Sequence, residues 1–505
     1  MIIAHVAADC PQTAVRDLER LADTSRHLRQ ILTVDGTFAP HFKLLKSLVS
    51  TFNGILSKER LSPLAISSTL PMMPPKQRHQ VVERIQNELI TDMVPVPGGT
   101  PPRTLKLAML QSIGHQLTLF TPADRMTLVD EVCRLPNFAE SGFAIGAMGT
   151  QSSQLELAEH DKLLAAAFAL ADRSKPPAIL GLITGLAALN SDQRLMLLGA
   201  ALAADPEHLK TLYLCSLGRK AGDLDKTLHP LLLNAGLGLS ANHRAYFVRD
   251  CAHGLASFTP NQQQRLIDAA CQFEEGAHGT TALSGFGASL KDISLDQRAQ
   301  LIDATLKLDQ HATIGVAIQG MCAGMASLDS TQQDALVSAA CRMGANENKA
   351  TTLRSLGSTV GTLEHSQHQR IINAVFALPT AKLQASALTG LCAQLKALNV
   401  EQRASLVNRV LNLEDQLTKA LLLVSMVPSI AFLPFETHRR LVDAVKAITD
   451  EPIKRWVMGE LTHAIMSFEP ELQQELIDII FAQPANEVQA SNIAELARAL
   501  KPKAF

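Results

Sequence analysis

The chain has 505 residues, 47% of them hydrophobic, 19% charged and 4% aromatic, with 46 basic against 48 acidic residues and a formal net charge of -2. That apolar content excludes global disorder, and the near balance of charge excludes a generally nucleic-acid-coating or membrane-surface protein. No run of about 18 uninterrupted apolar residues is present to make a transmembrane helix.

In chain order, the opening residues MIIAHVAADC have neither a basic n-region nor a long apolar h-region, so no Sec-type signal peptide is expected. Residues 1–60 carry helical patterns (AVRDLERLADTSRHLRQIL and HFKLLKSLVSTF) and are expected to form an N-terminal helical cap. From 61 to 485 a single pattern recurs. Phrases such as NQQQRLIDAA, LDQRAQLIDAT and ETHRRLVDAV each place an aliphatic anchor after a polar run. Leu266, Leu301, Leu336, Ile371, Leu406, Leu441 and Leu476 follow one another at a constant step of 35 residues. Upstream, Leu231, Leu197, Leu163 and Leu128 continue at steps of 35, 34, 34 and 35. Val81 precedes Leu128 by 47 residues, one period plus a Pro/Gly-rich insertion near 93–104 (MVPVPGGTPPR). That insertion is expected to be a solvated loop, and in a repeat array such a loop is also a candidate contact element. Between 151 and 239 the pattern loosens: QSSQLELAEH weakens the unit ahead of Leu163, and LGRKAGDLDK interrupts the one ahead of Leu231. Residues 486–505 are expected to be a C-terminal cap ending in a frayed tail, KPKAF.

Periodicity inside one unit identifies its elements. At 18, 15, 11 and 8 residues before the anchor the seven regular units place apolar residues throughout, for example Leu388, Leu391, Leu395 and Leu398 before Leu406. Spacings of 3, 4 and 3 are one stripe of an α-helix, helix A. Helix B begins just before the anchor, and Asn261, Asp296, Thr331 and Ser366, five residues ahead of it, are expected to be its N-caps. Ile267, Ile302, Val337 and their counterparts widen the apolar face of helix B, as packing on two neighbours requires. Strand signals are absent. A lone hairpin of this size cannot bury such faces, whereas stacking can. The expected fold is all-α: an α-solenoid of about 12 two-helix repeats with a 34–35 residue period.

With QR near the start of helix B and Asp or Asn two residues after the anchor, the unit resembles the HEAT/armadillo class over about residues 61–485. That resemblance implies a binding scaffold. Octotricopeptide-type RNA binders use hairpins of similar length and are the alternative. The Ala/Leu/Gln/His-rich style also resembles the repeat-built type III effectors of plant-associated bacteria, which would imply a bacterial cytoplasmic protein secreted into a host cell to bind a host protein.

The polar row two residues after the anchor (Asp268, Asp303, Ser338, Asn373, Asn408, Asp443, Asp478) reads either as acceptors facing a ligand or, the favoured reading, as a hydrogen-bond ladder between adjacent units. Arg194, Arg265, Arg298, Arg370, Arg403, Arg439 and Arg440 cluster near the start of helix B. As an RNA track they would need aromatic stacking partners, and the chain has one Trp and two Tyr. Arg298, Arg370, Arg403, Arg440, Asp268, Asp303 and Asp443 are therefore the candidate binding residues for a protein partner. His365 and His368 lack further ligands at zinc spacing, and Cys251 and His253 point to different helix faces. The eight cysteines read as small buried hydrophobes. No phosphate-loop, nucleophile-elbow or H-E-x-x-H motif occurs. The expectation is a non-enzymatic protein-binding scaffold with no cofactor, no metal, no membrane insertion and little affinity for nucleic acid.

Overall fold

The structure, a computed structural model, describes residues 66–481 apart from 68–69, 74, 89–92, 95–102, 137–139, 274–275 and 309–310. The expected caps at 1–60 and 486–505 lie outside the described residues. Helix α1 (Pro75–Asn87) is followed by hairpins α2/α3 (Leu105–Gly114, Pro122–Cys133), α4/α5 (Ser141–Gly149, Leu157–Ala169), α6/α7 (Lys175–Thr184, Ser191–Ala203) and α8/α9 (Glu207–Arg219, His229–Leu237). Then come α10/α11 (Ala241–Ala252, Pro260–Cys271), α12/α13 (Gly276–Leu283, Leu295–Leu306), α14/α15 (His311–Met321, Ser330–Arg342) and α16/α17 (Glu347–Gly357, His365–Phe376). The last are α18/α19 (Ala381–Ala393, Val400–Leu411), α20/α21 (Gln416–Met426, Phe435–Lys446) and α22/α23 (Glu451–Leu461, Pro470–Phe481). Even-numbered helices are A, odd-numbered ones B.

The chain divides between Ala235 and Gly236 into two compact units. In the first, α2, α4, α6 and α8 pack in succession, and α1, α3 and α5 form a second row. In the second unit the A helices α10 to α22 pack each on the next, with B helices α11 to α17 stacked beside them and α21 on α23. Two rows of hairpins, A on A and B on B, make a HEAT-like α-solenoid, the architecture that the repeat predicted.

The stripe is the core. Every stripe residue of the seven regular units is buried, the most accessible being Leu363 at 8%. Its geometry differs from a single long helix, because each A helix ends early and passes into a 3-10 turn such as Leu255–Ser257 or Leu395–Ala397. The residue 8 before the anchor is then extended, as at Phe258 and Leu398. One anchor also moves. Leu231 is 50% exposed whereas Leu232 is fully buried, so the true anchor is Leu232 and the steps around it become 34 and 35. With that shift Leu214, Leu217, Ala221 and Leu224 fall on the stripe and all are buried, and the interruption read at LGRKAGDLDK disappears.

Rows of A helices come close because small residues face each other. A Cβ added at Gly390 would overlap the carbonyl oxygen of Arg354 on the preceding A helix; Gly285, Gly320 and Gly181 stand at the same repeat position and meet Arg249, Ser284 and Gly146 in the same way. Only a residue without Cβ permits that approach.

Helix B starts two residues earlier than Asn261, Asp296, Thr331 and Ser366 implied. The N-caps are Thr259, Ser294, Asp329, Glu364 and Asn399, each closing a capping box with the Gln three residues on: Gln262, Gln297, Gln332, Gln367 and Gln402. Reciprocal bonding decides the cap, since that Gln returns a side-chain oxygen to the cap's N–H. One departure from pure helix stands at the base of the insertion, where Met93–Val94 pairs antiparallel with Arg103–Thr104. The two-residue ladder has no periodic signature, so it was invisible in the sequence.

Candidate functional site

The polar start of helix B is spent first on the fold. Three residues before most anchors stands a long donor that turns back to a 3-10 carbonyl, as a second partner beside the backbone N–H that ends the turn, such as that of Phe258 on Leu255. Gln263 donates to the Leu255 carbonyl at 3.0 Å, Arg298 to Leu290 at 2.7 Å, Gln333 to Met325 at 2.9 Å and His438 to Ile430 at 2.9 Å. In the first unit His160, Arg194 and His229 make the same bond to Ser152, Leu186 and Ala221. His368 Nε2–H reaches both the Val360 and Leu363 carbonyls, and burial pulls its pKa below the usual imidazole value. The HSQH pair is thus one structural histidine with His365 stacked on it at 5.2 Å. Among the described residues no group of three or more His, Cys, Asp or Glu could hold a metal ion.

Arginine at this position reaches further. Arg298 also donates to the Ser327 carbonyl, and Arg403 donates to the Phe432 carbonyl at 2.6 Å, in each case a turn of the following unit. A second row joins adjacent B helices: the residue just before one anchor donates to the residue two after the previous anchor. Gln300 bonds Asp268 at 3.1 Å, Arg370 bonds Ser338, and Arg440 bonds Asn408 at 2.9 Å. Arg370 is also ion-paired with Asp334. The ladder reading of the Asp/Asn/Ser row therefore holds at these rungs. Asp303 faces Ala335 in sequence register and has no such donor, and Asp443 stands 3.7 Å from Lys446, which also pairs with Glu475.

Of the candidate binding residues, the fold brings Arg403 and Arg440 together. They line a cleft of about 360 Å³ between α19 and α21 with Val400, Ala404, Val407, Asn408, Phe432, Leu433, Pro434 and Thr437. Asp303 lines a separate cleft with Lys307 and Cys271, in which burial pushes the thiol up to about 11. Arg298 sits in the bonds to the turn carbonyls, and Arg370 and Asp268 in the ladder.

The sequence reading missed the apolar side chains beside the arginine cleft. Val400 and Phe435, each the first residue of a B helix, are 67% and 69% exposed. Phe432 and Met466, in the 3-10 turns that lead to α21 and α23, are 49% and 65% exposed. A shallower cleft (Val424, Val427, Pro428, Glu460, His463) shares Ala431 with the first, so the two are continuous along this turn edge. Sequence position could have located these residues: they stand 6, 9 or 10 before an anchor, outside the stripe, where most units carry small or polar residues.

No protein-family model matches the chain, and no curated protein matches it in sequence. Among solved structures the chain is similar to Kap121p bound to Pho4p, with 13% identity and a TM-score of 0.43 over 96% of this chain and 61% of that one. It is also similar to importin beta, with 12% identity and a TM-score of 0.40 over 99% of this chain and 72% of that one. The chain spans about three fifths of the Kap121p chain that it matches. The hairpin packing described above, not this likeness, carries the fold assignment.

Among the described residues the cysteine thiols are mostly sheltered. Cys215, Cys251, Cys322 and Cys392 are buried, Cys133, Cys271 and Cys341 half-buried, and none of these seven is in a disulfide. Burial pushes Cys133 up to about 11, and Cys322 and Cys392 up to about 12. Thiols so raised hold almost no thiolate at neutral pH. No helix among the described residues is long and apolar enough to cross a membrane.

Proposed function

We propose that the chain is a non-enzymatic scaffold that holds a protein segment on the turn edge of its C-terminal hairpins. The observation that carries this reading is the concentration of exposed apolar side chains there. Val400, Phe432, Phe435 and Met466 stand exposed on that edge, and Leu417 and Leu421 on α20 and Trp456 on α22 are exposed elsewhere on the same hairpins. Clustered apolar exposure with arginine beside it is the composition of a protein interface. Against RNA stands the use of the basic row: Arg194, Arg298 and Arg370 are taken up by carbonyls, hydroxyls and carboxylates of the fold. Arg194 and Arg370 are moreover paired with Asp225 and Asp334, which interrupts the file of cations that a phosphate backbone would follow.

The test is RNA binding by the full chain and by the variant with Arg298, Arg370, Arg403 and Arg440 all replaced by Gln. Weak, salt-labile binding that the substitutions leave unchanged supports the protein-binding reading. Nanomolar binding at physiological salt that the substitutions abolish would overturn it. The secreted-effector reading is a further proposal resting on composition alone. A translocation reporter fused to the chain, silent in cells with a working type III secretion system, would end it.

A further inference from the structure

We infer that the α19/α21 cleft takes an extended acidic segment of a partner protein, with an apolar side chain on the Val407–Leu433–Pro434 floor and flanking carboxylates on Arg403 and Arg440. The inference rests on the protein-binding reading and names the chemistry of the partner.

Charge decides the occupant. Arg403 and Arg440 bond only neutral groups, the Phe432 carbonyl and the Asn408 side-chain oxygen. Their neighbours differ: Arg439 is 3.3 Å from Glu475, and Arg370 is paired with Asp334. Each guanidinium presents five N–H donors in a planar fork, and those left over suit a carboxylate, bound through two parallel hydrogen bonds. Glu401 and Glu436 lie on the first turns of the same two helices, are exposed, and form no ion pair within 4.0 Å among the described residues. They do not line the cleft. Among the described residues, therefore, no carboxylate pairs with either arginine at the cleft.

Size decides that the occupant is a segment. A stable dimer needs a face of about 20 to 30 residues on each partner, whereas eleven residues line this cleft of about 360 Å³. An extended chain places alternate side chains on opposite sides, so carboxylates can flank an apolar residue that points into the floor. Aromatic and arginine side chains, such as Phe432, Arg403 and Arg440 in this cleft, are the types enriched in protein interfaces.

Fluorescence polarisation with the full chain tests this, using three labelled nine-residue peptides that share Phe and Leu positions and alternate them with Asp, Asn or Lys. The Asp peptide is expected to bind about tenfold more tightly than the Asn peptide, and the Lys peptide more weakly than both. Arg440→Gln should cut that preference to about threefold, Arg403 keeping the rest, and should hardly move the unfolding temperature, because Arg440 is exposed and a Gln at this repeat position makes the ladder bond, as Gln300 does to Asp268. Val400→Ser should weaken the Asp and Asn peptides alike, which separates the apolar contact from the charge. Equal affinity for the Asp and Asn peptides, or an unchanged preference in Arg440→Gln, overturns the inference while the scaffold reading stands. Tight RNA binding lost on replacing Arg403 and Arg440 overturns both.

Discussion

Hairpins α14 to α17 and hairpins α18 to α23 share a fold and a buried stripe but not a surface. Across hairpins α14 to α17 the one exposed large apolar side chain among the described residues is Val316. Across hairpins α18 to α23 there are seven, all between Val400 and Met466. The positions are equivalent. Where α19 and α21 begin with Val400 and Phe435, α15 and α17 begin with Ser330 and His365; where Phe432 stands in one turn, Ser327 and Thr362 stand in others. Ser330 there donates to Glu364 at 2.7 Å, so the polar edge is tied to itself. The core positions of this repeat are under one packing constraint in every unit, whereas the turn edge is free to differ. Differences at free positions are where binding is written.

The largest expected effect comes from breaking what the two regions share. Leu391→Asp places a charge at a fully buried stripe position and should cost about 4 kcal/mol. Since each hairpin contacts only its neighbours, the loss should split thermal unfolding into two transitions. An unfolding curve identical to the parent's would show that Leu391 is not buried. Next, Gly390→Ala should destabilise by about 2 kcal/mol, because its methyl meets the backbone of Arg354 on α16 rather than a movable side chain. Chemical denaturation at constant slope measures it. Asn399→Ala removes the cap of α19 and its half of the box with Gln402, at about 1 kcal/mol.

A smaller effect depends on pH. Burial lowers the pKa of His368 in the folded state, so between that value and the ordinary imidazole pKa the unfolded chain binds the extra proton. Stability from this group is complete above the unfolded pKa of about 6.5 and is lost as pH falls below it. His368→Gln, which copies Gln333 at the same repeat position, should keep the carbonyl bond and flatten the acid side of a Tm-against-pH profile. A profile of unchanged slope would assign the acid sensitivity elsewhere. The smallest expected effect sharpens the comparison directly. Phe435→Ser gives α21 the edge residue of α15 and should change stability by no more than about 0.5 kcal/mol. A large loss of Tm would mean that Phe435 is part of the core.

The repeat period, the all-helical class, the residues of the core and the ladder between B helices were legible in the amino-acid sequence. Each depends on local spacing, and a stripe that recurs unit after unit leaves one way to bury itself. Other features needed the packed chain. Capping at Thr259 rather than Asn261 is set by a reciprocal bond with Gln262, and Leu232 rather than Leu231 is the anchor because its neighbours in space, not in sequence, enclose it. Arg403 and Arg440 are 37 residues apart in the chain (440 minus 403) and share one cleft, whereas at the same two repeat positions Arg298 bonds the Leu290 and Ser327 carbonyls and Arg370 pairs with Asp334. A side chain's charge is written in the sequence, but whether a partner within the fold already neutralises it depends on which groups stacking brings within hydrogen-bond reach.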